Sequence, residues 1–298
     1  MSKQPQKTIA IVYDFDGTLM PGNMQEPTIF EHYGIKASEF WGQAEKLVLE
    51  QGYERTLAYL KLLIDDERFS KEPLTPQFLR ELAAKKITYF EGVEEYFDYL
   101  ERAILEIREV RDLGIVIEHY IVSSGMSELV KGCSIAKYFK KIYACDFAYE
   151  DDRPVFPKLV INDTNKTQFL FRINKGKLDL AENINSHMRE EDRPIPFRNM
   201  VYIGDGLTDI PSMTVVQKSG GHAIAVFDPT KKVPLEVEQM VQERRADHLA
   251  PADYRNDKLL VKIIHKAIRK IVHDIAYRAS SKMSKDWVED VQRTGSSE

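Results

Sequence analysis

An uninterrupted apolar run, Ile9-Ala10-Ile11-Val12-Tyr13, ends on Asp14-Phe15-Asp16-Gly17-Thr18, and this junction constrains the fold more than any other stretch of the chain. The run reads as a buried strand, so two carboxylates are delivered to one strand end. Side chains at i and i+2 of an extended segment point the same way, while Gly17 lets the backbone turn off behind them. Such a pair suits metal-assisted chemistry on a phosphate. A calcium loop starting at Asp14 fails, because the EF-hand pattern would need glycine at Leu19 and glutamate at Gln25, and a helix where the β-branched run sits. An ordinary polar turn stays open for this string alone.

Three further segments place chemistry at strand ends or helix starts. The run from Ile115 closes on Ser123-Ser124-Gly125 and leads into a helical pattern from Met126 to Lys131. Its backbone N–H groups would face a bound anion, although either serine could simply cap that helix. Lys166 opens the amphipathic stretch 166–173, where a lysine opposes the helix dipole unless an anion is near. Lys158 and Lys175 are its rivals. Finally, Met200-Val201-Tyr202-Ile203 runs into Gly204-Asp205-Gly206-Leu207-Thr208-Asp209, where the glycines permit a tight turn and Asp209 falls near the opening of a helix.

Taken in order, these four motifs make the chain similar to the haloacid dehalogenase-like superfamily, in its phosphatase branch and near the phosphoserine phosphatase group. The resemblance covers residues 8–229. It implies that Asp14 is the nucleophile and Asp16 the acid/base, and that Ser123, the N–H groups of Ser124 and Gly125, and Lys166 bind the phosphate. Asp14, the backbone carbonyl of Asp16, and Asp205 would hold Mg²⁺. Asp209 would bind metal-bound water or orient Lys166. The oxygen donors favour Mg²⁺ over zinc, and no Cys/His cluster competes. The implied reaction is hydrolysis of a small phosphomonoester through an aspartyl-phosphate. A phosphomutase or a non-catalytic phosphate-binding module are the alternatives.

The expected fold is a mostly parallel, doubly wound (Rossmann-like) α/β sheet carrying an inserted all-helical cap. Residues 1–19 and 89–298 would form the core and 20–88 the cap. Helical stretches are expected at 28–33, 38–50, 53–67 and 76–86, the last with Thr75 as N-cap and Pro76 at its first position. Phe40, Trp41, Tyr53, Tyr59 and Phe69 would serve as the cap's own core or line its pocket. Glu26 lies near the cap entrance, where phosphoserine phosphatase relatives carry a substrate-contacting glutamate, but the spacing differs and Pro27 intrudes. Beyond the cap, the pattern predicts one long helix over 92–110, a hairpin of 143–149 and 155–161 over the site, core or edge roles for His119 and His222, and a helix over 257–279 before a fraying tail, 280–298.

The chain has 298 residues and a net charge of −5, from 42 basic and 47 acidic side chains, which gives no global attraction to nucleic acid or anionic membranes. No run approaches the roughly 20 apolar residues of a membrane helix. Cys133 and Cys145 cannot make a disulfide framework, and no signal-peptide pattern opens the chain, so a cytoplasmic setting is expected. The partner is expected to be a small phosphorylated metabolite. Phosphoserine, phosphocholine-like alcohols, nucleotides and sugar phosphates all stay open, as does the oligomeric state.

Overall fold

The structure is a computed structural model that describes residues 6–294. Among these, seven strands form one sheet: β1 Thr8–Tyr13, β2 Val116–Met126, β3 Phe139–Glu150, β4 Arg153–Leu159, β5 Met200–Gly204, β6 His222–Phe227 and β7 His248–Pro251. Their order is β4-β3-β2-β1-β5-β6-β7. Every pairing is parallel except the β3–β4 hairpin. This is the doubly wound α/β sheet expected from the sequence. The apolar run Ile9–Tyr13 is fully buried because β1 lies at the centre, paired with β2 on one side and β5 on the other. Strand order reverses at β1, and open α/β sheets form their crevice at the carboxyl end of such a switch point.

The segment between β1 and β2 begins with a π-helical turn, Glu26–Phe30, that runs into α1 Glu31–Tyr33, followed by α2 Ala37–Gln51, α3 Arg55–Asp65 and α4 Pro76–Lys86. Pro76 opens α4, and the Thr75 hydroxyl accepts from the Phe78 N–H at 3.1 Å. The remaining helices are α5 Val93–Leu105, α6 Arg108–Leu113, α7 Ser127–Gly132, α8 Lys166–Lys175, α9 Ile210–Lys218, α10 Leu235–Gln242 and α11 Leu259–Thr294. None of them is long and apolar enough to cross a membrane among the described residues. Cys133 and Cys145 are free and buried.

Three local expectations are corrected, and one alternative is removed. The single helix over 92–110 is broken, because Ile107 turns extended between α5 and α6. In a continuous helix Val110 would lie about 120° around the axis from Ile104, and the break lets both be buried. The last helix does not end at residue 279: α11 continues to Thr294 with no glycine or proline to stop it, and residues 295–298 lie outside the described part. Ser123 and Ser124 do not cap a helix, since β2 runs on through them to Met126. The β3–β4 hairpin turns through left-handed Asp151 and Asp152, but it packs against α3 at the sheet edge and lines no part of the central cavity. His119 is a core residue as expected; its ring stacks on Tyr13 and shares a 3.0 Å hydrogen bond with that hydroxyl.

The helical segment grips the sheet domain at α4 and α7. Gly132 has no Cβ, and one placed there would stand 2.3 Å from the Arg80 carbonyl oxygen, so the two backbones meet directly. Beside this contact, buried Glu128 accepts from Arg80 Nε at 2.6 Å and from Lys131 Nζ at 2.6 Å. Burial pushes the Glu128 carboxyl up, but Lys131 and Arg80 outweigh it and hold the pKa below the ordinary value. A depressed carboxylate contributes stability above its unfolded pKa and loses it as pH falls through the folded one. Glu128→Gln is therefore expected to cost about 1 kcal/mol at neutral pH, a modest figure because both cations are half exposed. Urea unfolding should show that gap closing as pH falls below the ordinary glutamate range.

Candidate active site

The carboxyl ends of β1, β2 and β5 and the start of α8 converge on one cavity. Asp14 follows β1 and is held by its own N–H donating to the Ile203 carbonyl at 2.9 Å. The Lys166 ammonium lies 3.2 Å from Asp14 Oδ1 and donates to Asp209 Oδ1 at 2.7 Å, with all three side chains buried. Tyr202, on β5, donates its hydroxyl to the same Asp209 oxygen at 2.7 Å, and the Gly206 N–H approaches Asp209 Oδ2 at 3.4 Å. Lys166 owes its place to a reciprocal turn: the Asn162 and Asn165 side chains each accept the other's backbone N–H, at 3.0 and 2.8 Å, just before α8 begins.

Asp205 closes the group. Asp14, Asp205 and Asp209 each bring a carboxylate oxygen within 4.8 Å of the others. Gly17, at φ +70°, makes this approach possible, since a Cβ there would sit 1.9 Å from Asp205 Oδ2. Asp16 turns away from that trio; its Oδ1 accepts from the Met24 N–H at 2.9 Å, on the chain leading to the helical segment. The Ser123 hydroxyl accepts from the Gly125 N–H at 3.0 Å, and Ser123, Ser124 and Gly125 all line the cavity.

Electrostatics follow from crowding four carboxylates, two buried and two half-buried, beside one ammonium. Burial raises Asp14 to about 6, against the pull of Lys166. Asp16 and Asp205 are also raised well above the ordinary value, first by burial and then by the charge of Asp14. Burial opposes the Lys166 charge, yet Asp14 and Asp209 more than compensate and hold it firmly protonated. Asp14 Oδ1 is buried without a hydrogen bond of good geometry despite the nearby ammonium. An unsatisfied oxygen among hard oxygen donors fits a divalent cation. Asp209 is less free to ligate one directly, because its oxygens already serve Lys166, Tyr202 and Gly206.

The structure thus brings Asp14, Asp16, Ser123, Ser124, Gly125, Lys166 and Asp205 to one cavity, with Asp209 directly behind Lys166. The rival lysines are elsewhere: Lys158 pairs with Asp146 at 2.9 Å, and Lys175 donates to the Ile184 and Ser186 carbonyls. Sequence reasoning missed Tyr202, Met24 and Gln25. Tyr202 left one faint signal, a hydroxyl inside an otherwise aliphatic strand. Among the aromatics of residues 20–88, Phe40 and Phe69 are buried, while Trp41 and Tyr59 line the cavity. The Tyr59 hydroxyl also donates to the Ser124 carbonyl at 2.7 Å, joining α3 to the end of β2.

An open α/β sheet with an acidic, lysine-bearing site at its switch point defines a recognisable class of protein. A model of the haloacid dehalogenase-like hydrolases matches residues 11–214, more than half of the chain, which therefore belongs to that family. It is 31% identical over 274 residues to an uncharacterized protein of Borreliella burgdorferi, covering 84% of this chain and 92% of that one. Among solved structures it shares its fold with a phospho-aspartyl intermediate analogue of phosphoserine phosphatase, at TM-score 0.51 and 20% identity over 87% of this chain and 99% of that chain. An apo phosphoserine phosphatase matches at TM-score 0.53 and 19% identity, over 87% and 98%.

Gly17→Ala tests how far the site depends on that close approach. It imposes a left-handed φ on alanine and drives a methyl into Asp205, so a loss of about 2 kcal/mol is expected in denaturant unfolding. If the carboxylates hold a divalent cation, adding one should raise the melting temperature of the variant less than that of the parent.

Proposed function

We propose that this chain is a Mg²⁺-dependent phosphatase of small phosphomonoesters that works through an aspartyl-phosphate on Asp14. The observation that carries this reading is the buried Asp14–Lys166–Asp209 array, 3.2 and 2.7 Å across its two contacts, at the mouth of which Asp205, Asp16 and Ser123 also stand. Asp14, the Asp16 backbone carbonyl and Asp205 would hold Mg²⁺, which when bound supplies positive charge to offset the approach of a carboxylate to a phosphoryl dianion.

The residues divide the work as follows. An Asp14 carboxylate oxygen attacks phosphorus in line, and the bond from phosphorus to the alcohol oxygen breaks. The Asp16 carboxyl gives its proton to the departing alkoxide, from a position set by the Met24 N–H. Water then attacks the aspartyl-phosphate, Asp16 takes up its proton, and inorganic phosphate leaves with Asp14 restored. Ser123, the N–H groups that follow it and the Lys166 ammonium bind the phosphoryl oxygens through both steps. Asp209, shared between Lys166 and Tyr202, fixes where the ammonium points.

Residues 1–19 and 89–298 act in this reading as the catalytic core and 20–88 as a cap that excludes water and selects the substrate. The Tyr59 contact with Ser124 supports such a cap, since it ties a helix of that segment to the proposed phosphate loop. Two free, buried cysteines suit a reducing compartment such as the cytoplasm.

Phosphate release from a panel of phosphomonoesters, with Mg²⁺ and with EDTA, is the direct test. Asp14→Asn is expected to lower release by about a thousandfold or more while leaving the fold intact, and EDTA should abolish it. Asp16→Asn should reduce turnover most for poor leaving groups and least for an aryl phosphate whose alkoxide needs no proton. Retained turnover by Asp14→Asn would remove the aspartyl-phosphate from the mechanism.

A further inference from the structure

The cavity over the site measures about 600 Å³, within the range that encloses a drug-sized molecule. Its wall away from the carboxylates is apolar and aromatic: Trp41 and Val48 on α2, Tyr59 on α3, and Phe90, Phe227 and Pro234. Trp41 is held rather than loose. Its indole N–H donates to Glu26 Oε1 at 2.8 Å, and its ring lies edge-on to Phe30, Phe40 and Tyr59, with centroids 5.3 to 5.9 Å away.

Several charged side chains around the cavity are engaged with protein partners. Glu26 Oε1 also accepts from the Asn23 amide at 2.8 Å, and Glu26 does not line the cavity. Arg55, which does line it, is bonded to Glu45 at 2.5 Å. Lys231 stands 3.2 Å from Asp228. The charges left on the lining, Asp163 and Lys232, are solvent-exposed and opposite in sign. Deep in the cavity the lining instead offers Gln25, a neutral side chain 2% exposed whose Oε1 has no hydrogen-bond partner. A small zwitterion would have only these solvent-screened charges left to pair with, whereas an uncharged ring would find a preformed aromatic wall and the unpartnered Gln25 oxygen.

We propose that the substrate is a phosphomonoester of an uncharged, ring-bearing alcohol, packed against the Trp41 indole, in preference to a small amino-acid phosphate. This rests on the phosphatase reading for the position of the phosphoryl group. Trp41 is a specificity-determining residue and takes no part in bond making.

Binding is measured separately from turnover to test it. Asp14→Asn, combined with Trp287→Phe so that Trp41 is the sole tryptophan, is titrated in Mg²⁺ with phenyl phosphate, glycerol 2-phosphate and phosphoserine. Calorimetry and Trp41 fluorescence are read together. Phenyl phosphate is expected to bind about tenfold more tightly than either of the others and to shift the fluorescence. Trp41→Leu should bring that ratio near one, and Trp41→Phe should restore most of it; circular dichroism confirms that both are folded. Equal or tighter binding of phosphoserine, no binding of phenyl phosphate, or a ratio unmoved by Trp41→Leu would each overturn the proposal. Ring-selective binding without phosphate release by the parent protein would overturn the phosphatase reading alone, and release without ring selectivity would overturn this proposal alone.

Discussion

The buried contact of Lys166 with Asp14 and Asp209 is the interaction on which the rest of the site depends. Each of the three would be costly to bury alone, and each is tolerable only because the others are present. Lys166 stays charged because two carboxylates face it, and Asp209 is buried because Lys166, Tyr202 and Gly206 use its oxygens. Asp14 is the member left short, with one oxygen lacking a well-formed hydrogen bond. That shortfall sits on the residue proposed as the nucleophile, where a cation and a phosphoryl group would meet it.

Sheet topology supplies the convergence. β1 and β5 are adjacent and parallel, so Asp14 and the Gly204–Asp205 turn emerge from neighbouring strand ends, and β2 delivers Ser123 from the other side of β1. Glycine then sets how closely they approach. A side chain at Gly17 would displace Asp205, and one at Gly204 would strike Asp209. The acidic cluster is compact because these two positions carry no Cβ.

Much of this was legible in the sequence, for a reason that also explains what was not. Asp14, Ser123, Lys166 and Asp205 each stand at a transition from an apolar strand to a turn or from a turn to a helix, and such transitions are written locally. The lysine was separable from Lys158 and Lys175 only by its place at a helix start. Tyr202, Met24 and Gln25 carry no such mark, because their contacts depend on which strand is neighbour to which and on how the helical segment folds back. The breaks in pattern have the same origin. Ile107 turns extended so that Ile104 and Val110 can both be buried, a demand imposed by the core rather than by helix propensity. The polar tail stays helical to Thr294 because nothing in it stops a helix once started.

The helical segment is coupled to the site at three points of different character. Met24 gives its N–H to Asp16 and its sulfur to the Met126 N–H, Tyr59 holds the Ser124 carbonyl, and α4 rests on Gly132 with Glu128 beside it. The first touches both Asp16 and the end of β2, and the second holds the end of β2 from α3. Any displacement of the segment would therefore loosen Asp16 and the end of β2 together. The α4–α7 contact lies outside the cavity and brings backbone against backbone, which suits a fixed pivot. In the proposed reading, one backbone-to-backbone seat and two hydrogen-bonded contacts beside the carboxylates tie the placement of the cap to that of Asp16 and the end of β2, so a substrate that filled the aromatic wall would also secure the groups proposed to act on its phosphate.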